Sequence, residues 1–241
     1  MNIPALAGAV ALAAAPGHSL LSVSPSHVEL TPGTHRVISI DTGSSDRASI
    51  DVHVVGLTLD PQGRPRLERR GGAPLLRLSA SRLRAARGRA QLTITARPAA
   101  HAAVGDHAAV VLFDATTPGT SSVLVRLRVG LVVSVRVPGK VVHRLVLQAG
   151  ASVLRKPRVI EVDVANRGNV TEHVDASRLT LVVVRAGRTV AVLRAARRDF
   201  LPHSRGFVLF SYSQRLRGAF VARVGLRQSK DLQVRRYRLR L

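Results

Sequence analysis

Every odd-numbered position from 123 to 137 is apolar: Val123, Val125, Leu127, Val129, Leu131, Val133, Val135 and Val137. A period of two puts those side chains on one face of a pleated strand, because successive Cβ atoms point to opposite sides. A helix would scatter them around its axis. The even positions carry Arg126, Arg128, Ser134 and Arg136, so the other face is cationic and suited to water. At about 3.3 Å per residue the run would reach roughly 50 Å, long for one strand, so it is expected to bend or to run on toward a second domain. Pro138-Gly139 breaks the pattern and is read as an interdomain hinge.

Shorter alternating segments recur on both sides of that hinge. They cover 37–40, 50–54, 92–95 and 108–113 before it, and 160–164, 179–184, 190–193, 207–212 and 219–226 after it. Between them stand residues that preset φ or tolerate positive φ: Pro32-Gly33, Gly43-Ser44, Pro61-Gln62-Gly63, Gly71-Gly72, Pro118-Gly119, Asn166-Arg167-Gly168-Asn169 and Ala186-Gly187. Short strands separated by such turns are the signature of antiparallel sandwiches. Helix-forming composition is confined to 80–87, too short to change the class. The expected fold is all-β.

A chain of 241 residues makes one large or two ordinary domains, and an internal echo favours two. Arg36-Val37-Ile38 returns as Arg158-Val159-Ile160, Arg87-Gly88 before a strand returns as Arg205-Gly206, and Gly105 before a strand returns as Gly218. Three matches in the same order point to a duplicated unit.

Charge narrows the partners more than it names them. Thirty-seven basic residues against 14 acidic ones give +23, which attracts nucleic acid, anionic lipid or acidic wall polymers. Only Lys140, Lys156 and Lys230 among the cations are lysines, an arginine skew that a GC-rich genome produces without selection for phosphate. Two Tyr, five Phe and no Trp leave few platforms for stacking bases, which points away from nucleic acid. With no cysteine there is neither disulfide nor thiol chemistry. The nine histidines show no zinc spacing. Glu161 and Asp163 are spaced as a carboxylate pair on one strand face, but alternation with Ile160 and Val162 is what any half-exposed strand shows. No nucleophile elbow, P-loop or dinucleotide fingerprint is present. The chain is expected to be a binding protein, with no catalytic residue, metal or cofactor.

Residues 5–15 form an apolar run of the length of a secretory signal's hydrophobic region. Arginine interrupts every later aliphatic stretch before it reaches the roughly 20 residues a membrane helix needs. Residues 1–19 are therefore expected to be a signal-like or disordered segment, and the mature chain to lie outside the cytoplasm without a membrane span.

The stretch Ser22-Val23-Ser24-Pro25-Ser26-His27-Val28-Glu29-Leu30-Thr31-Pro32-Gly33, with Gly105-Asp106-His107, the long strand ending at Pro138-Gly139, and Val164-Ala165-Asn166-Arg167-Gly168-Asn169-Val170-Thr171, resembles bacterial periplasmic chaperone-type immunoglobulin-like proteins. Two relatives carry this pattern: the pilus-assembly chaperone and the WxL-interacting surface protein of Gram-positive bacteria. The resemblance implies two tandem immunoglobulin-like β-sandwich domains, at 20–138 and 139–241. It also implies a basic pair anchoring a client's terminal carboxylate. At the matching positions this chain has His27 in the first strand, and Gly130, Leu131 and Val132 in the long one. The expected function is chaperone-like or cell-envelope binding, with a purely structural surface role as the alternative. The candidate partners are an extended segment of a surface or pilin-like protein and an anionic wall polymer. The candidate partner-binding residues are Val125, Arg126, Leu127, Arg128, Val129 and Arg136.

Overall fold

The computed structural model describes residues 21–43, 48–68, 75–118, 124–155, 158–213, 218–228 and 231–240. The signal-like segment and the Gly71-Gly72 turn lie outside them. Every named element among the described residues is a β-strand, as expected, and the chain divides into two units each with its own core. One unit holds the described residues up to Leu57, Leu67–Ala103 and His107–Pro138; the other holds Thr58–Arg66, Val104–Asp106 and the chain from Gly139.

The first unit's strands are β1 (Ser22–Ser24), β2 (His27–Leu30), β3 (His35–Asp41), β4 (Ser49–Leu59), β5 (Pro65–Glu68), β6 (Leu76–Leu78), β7 (Arg82–Arg84), β8 (Arg89–Ala96), β9 (Gly105–Pro118) and β10 (Leu124–Val137), the last residues of β4, the start of β5 and the start of β9 counting with the second unit. They form a four-stranded sheet in the order β1-β3-β8-β6 and a six-stranded one in the order β2-β10-β9-β4-β5, with β7 beside β4. Between them lies an aliphatic core with Ile38, Ile40, Ile50, Leu92, Ile94, Phe113 and Leu131 buried. Alternation builds it: in β8, Leu92, Ile94 and Ala96 point in while Thr93 and Thr95 are only half-buried. The first strand is shared between the sheets, β1 pairing antiparallel with β3 and β2 pairing parallel with β10. Residues 80–87, helix-prone by composition, contain β7, where pairing of Arg82–Arg84 with Ser49–Asp51 overrides local preference. The alternating run is a strand of 14 residues, Leu124–Val137, that runs on to the point where the second unit takes over the chain, one of the two outcomes expected of its length.

The second unit adds β11 (Leu145–Leu154), β12 (Val159–Asn166), β13 (Glu172–Val174), β14 (Leu179–Arg185), β15 (Arg188–Arg194), β16 (Arg198–Phe200), β17 (Arg205–Ser211), β18 (Ala219–Gln228) and β19 (Asp231–Arg240). Sheets β11-β12-β17 and β15-β14-β18-β19 enclose its core, and β13 pairs with β16. The echoed tripeptides enter strands in equivalent places. β3 and β8 are antiparallel neighbours, as are β12 and β17. The strand after Gly105 lies between β10 and β4, and the strand after Gly218 between β19 and β14.

One turn shows how this unit closes. Asn166 is buried, and its Nδ2 donates to the carbonyls of Val170 at 2.7 Å, Phe200 at 3.1 Å and Leu201 at 3.1 Å. Its Oδ1 accepts from the Gly168 amide at 2.9 Å. A Cβ on Gly168 would stand 2.1 Å from the Val142 carbonyl oxygen and 2.9 Å from the Arg144 amide nitrogen, so only glycine lets the turn lie against residues 142–144.

Candidate functional site

β10 is the strand around which the candidate residues gather. Its inward row, Leu131, Val133 and Val135, is completely buried. The same row continues toward the strand's start as Val129 and Leu127, which are only half-buried, with Val125 two residues earlier on the strand. The reason is the extent of β2. Its four residues pair with Val132 to Val135 and stop there, in the register Val132↔His27 to Val135↔Leu30. Among the described residues, the part of β10 before Val132 has a ladder neighbour on the β9 side alone. Among the described residues no strand pairs with its other side, which leaves an edge open to main-chain pairing.

The register also brings His27 directly beside Val132, one of the three positions, Gly130, Leu131 and Val132, at which the resemblance implies the second member of a basic pair. Neither residue supplies a permanent cation, and His27 Nε2 lies 3.7 Å from Glu29 Oε1.

The even positions of β10 lie on the outer face, where a carboxylate from the neighbouring strand meets them. Asp114 of β9 is buried there, with its side chain 2% exposed. Arg128 holds it through two bonds, Nε to Oδ1 at 2.6 Å and Nη2 to Oδ2 at 3.0 Å. Arg126 Nη2 stands 3.4 Å and His53 Nε2 3.6 Å from Oδ2. Hydrogen bonding from Arg128 keeps the Asp114 carboxyl below the usual carboxylate range, against the opposing effect of burial. Arg126 and Arg128 are thus turned onto one carboxylate. Arg136 is exposed near the end of the strand. Beside this charge cluster, Val55, Val110 and Leu112 form a small apolar group with Leu57 and Val132 packed on it.

The other acids are engaged separately. Glu161 accepts from Ser152 Oγ at 2.9 Å, while the buried Asp163 is held by Arg205; each has its own partner. In the second unit His143, Thr171, Glu172, His173, Arg178 and Gln228 line a cavity of about 340 Å3. The buried Glu172 accepts from Arg178 Nη1 at 2.7 Å and faces His143 Nδ1 at 2.8 Å. Among the described residues no group of three His, Cys, Asp or Glu side chains could hold a metal ion.

His173 Nδ1 lies 2.6 Å from Asp199 Oδ1 across the β13–β16 pair, and that hydrogen bond raises the histidine's pKa above 6.5. A raised pKa stabilises the fold fully below 6.5, and the contribution is lost as the pH climbs through the folded value. Nuclear magnetic resonance titration of the His173 ring is expected to give a midpoint above 6.5, falling back in Asp199→Asn.

No protein-family model matches the chain, and no curated protein matches it in sequence. Solved structures do share its fold. The class 5 fimbriae chaperone CfaA superposes with a TM-score of 0.54 at 12% identity, over 90% of this chain and 98% of that one. The SafB chaperone, solved with the Salmonella enterica SafA pilin, gives 0.52 at 13% identity over 92% and 98%. The complex of CsuC with CsuE, a chaperone–tip subunit pre-assembly complex from Acinetobacter baumannii, gives 0.50 at 11% identity over 92% and 99%. The fold is therefore that of the two-domain, immunoglobulin-like pilus chaperones. No described helix is long and apolar enough to cross a membrane.

Proposed function

We propose that this chain is an exported, chaperone-like binding protein that accepts an extended segment of a pilin-like or other surface protein along the open edge of β10. The observation that carries the reading is the mismatch between β2 and β10: the cover ends at Val132 while the apolar row continues through Val129 and Leu127. An incoming strand would pair with the free main-chain groups of β10, and alternate side chains would pack against each other. The neighbours of the same fold support this, since SafB was solved with a pilin and CsuC with a tip subunit. With His27 and the uncharged Gly130, Leu131 and Val132 in place of a cationic pair, the grip would come from strand pairing and aliphatic contact. Binding of an anionic wall polymer is the less favoured reading, because Arg126 and Arg128 already face Asp114.

The test uses an envelope extract of the source organism and the purified chain. A captured partner should slow hydrogen exchange at the amides of residues 124–130 by about tenfold or more. The double variant Leu127→Asp, Val129→Asp should abolish capture with little change in melting temperature, since both side chains are half-exposed. Undiminished capture by the double variant, or protection confined to other strands, would overturn the proposal.

A further inference from the structure

The four-stranded sheet of the second unit has two unlike faces. Its inward side chains, among them Leu181, Val224 and Tyr237, enter the core. Its outward side chains follow from the register. Val192, Val182, Arg223 and Arg236 form one row across the four strands. The adjoining rows pair Gly225 with Val234, Arg227 with Leu232 and Val221 with Arg238. Among the described residues this face carries no carboxylate. Arg223, Arg227, Arg236 and Arg238 are exposed and make no hydrogen bond or ion pair with described residues.

Two features of this face work against the isolated fold. Arg223 lies directly opposite Arg236, and like charges in facing cross-strand positions are destabilising. Between and around the guanidiniums stand aliphatic side chains that are largely bare: Val192 is 61%, Leu232 61% and Val234 59% exposed. Folding requires neither feature. A single kind of partner relieves both, one that presents phosphates to the arginines and hydrocarbon to the aliphatics. Guanidinium binds phosphate through two parallel bonds, and its stem can lie along an apolar boundary while the head stays at the polar level. A soluble polyanion satisfies only the charges. A nucleic acid would also want stacking aromatics, and Phe220 and Tyr237 are turned into the core.

We propose that the outer face of the β15-β14-β18-β19 sheet docks on an anionic lipid bilayer, with arginines at the headgroups and Val192, Leu232 and Val234 at the acyl boundary. This is peripheral binding, in the manner of a charged amphipathic surface. It stands whether or not β10 takes a client.

Cosedimentation of the full chain with vesicles tests it. Vesicles containing about 30% phosphatidylglycerol should bind at least tenfold more tightly than pure phosphatidylcholine, since each cation near such a surface is worth roughly fivefold in affinity. Arg223→Ser with Arg236→Ser should weaken binding about thirtyfold by the same arithmetic and should not lower the melting temperature, because a repulsive pair is removed. Arg36→Ser with Arg77→Ser, which removes as much charge from the other unit, should leave binding within about threefold of the parent chain. Val192→Ser with Val234→Ser should abolish the fraction that stays bound in high salt, where screening weakens the arginine contribution. Three results would overturn the proposal: equal binding to both kinds of vesicle, full binding by the Arg223/Arg236 variant, or binding to soluble polyphosphate as tight as to vesicles and indifferent to the valine changes.

Discussion

Asn166→Ala should lower the stability of the second unit by about 3 kcal/mol and its melting temperature by roughly 10–20 °C. The side chain is 1% exposed and serves four backbone groups: the carbonyls of Val170, Phe200 and Leu201 and the amide of Gly168. Alanine takes away every partner, so buried acceptors and a donor are orphaned together. Asn166→Asp keeps the shape and the bond from Gly168 but replaces an amide donor with oxygen facing three carbonyl oxygens. Chemical denaturation should therefore rank Asp below Ala. If Asp were tolerated better than Ala, volume and not polar satisfaction would be what the position provides.

Asp114→Ala is the second large effect expected, about 2 kcal/mol, and here the sign of a pH dependence can be worked out. Its carboxyl is held below 3.8 in the fold and returns to about 3.9 on unfolding. A depressed pKa adds stability that is complete above the unfolded value and disappears as the pH falls through the folded one. Wild type should lose that contribution progressively below about pH 4, and the Asp114→Ala chain should show a flatter acid limb in thermal melts. At neutral pH the substitution leaves Arg126 and Arg128 without their shared anion, so the loss should grow at low ionic strength, where like charges repel over a longer range. A salt-independent loss would mean that the cavity, not the cations, sets the cost.

The two effects show where sequence reading succeeds and where it stops. The run is legible because Leu131, Val133 and Val135 are buried on one face of a single long strand and Leu127 and Val129 continue that face half-buried, and burial writes itself into a period of two. β19 shows no such period because arginines dominate it: Arg235, Arg236, Arg238 and Arg240 mask the inward pair Tyr237 and Leu239. β1, β6, β13 and β16, three residues each, are too short to show any period. The turn at Asn166 could be read as a turn, since Asn and Gly together favour one. That its amide would serve the chain at residues 200–201 depends on a strand far away in sequence. In the same way, nothing local joins Asp114 to Arg126, Arg128 and His53; only the pairing of β4, β9 and β10 does. Both cases concern polar side chains, whose partners are set by register after the apolar pattern has fixed which strands meet.

The point at which the opening strand changes sheets has a further consequence. Wherever that crossover falls, it decides how many rungs of β10 are sealed from within and how many stay available to a stranger. Moving it by two residues would seal or release one more inward side chain without touching the hydrophobic interior. Sliding that single junction therefore shifts the balance between internal pairing and an open edge, and needs no new fold to do so.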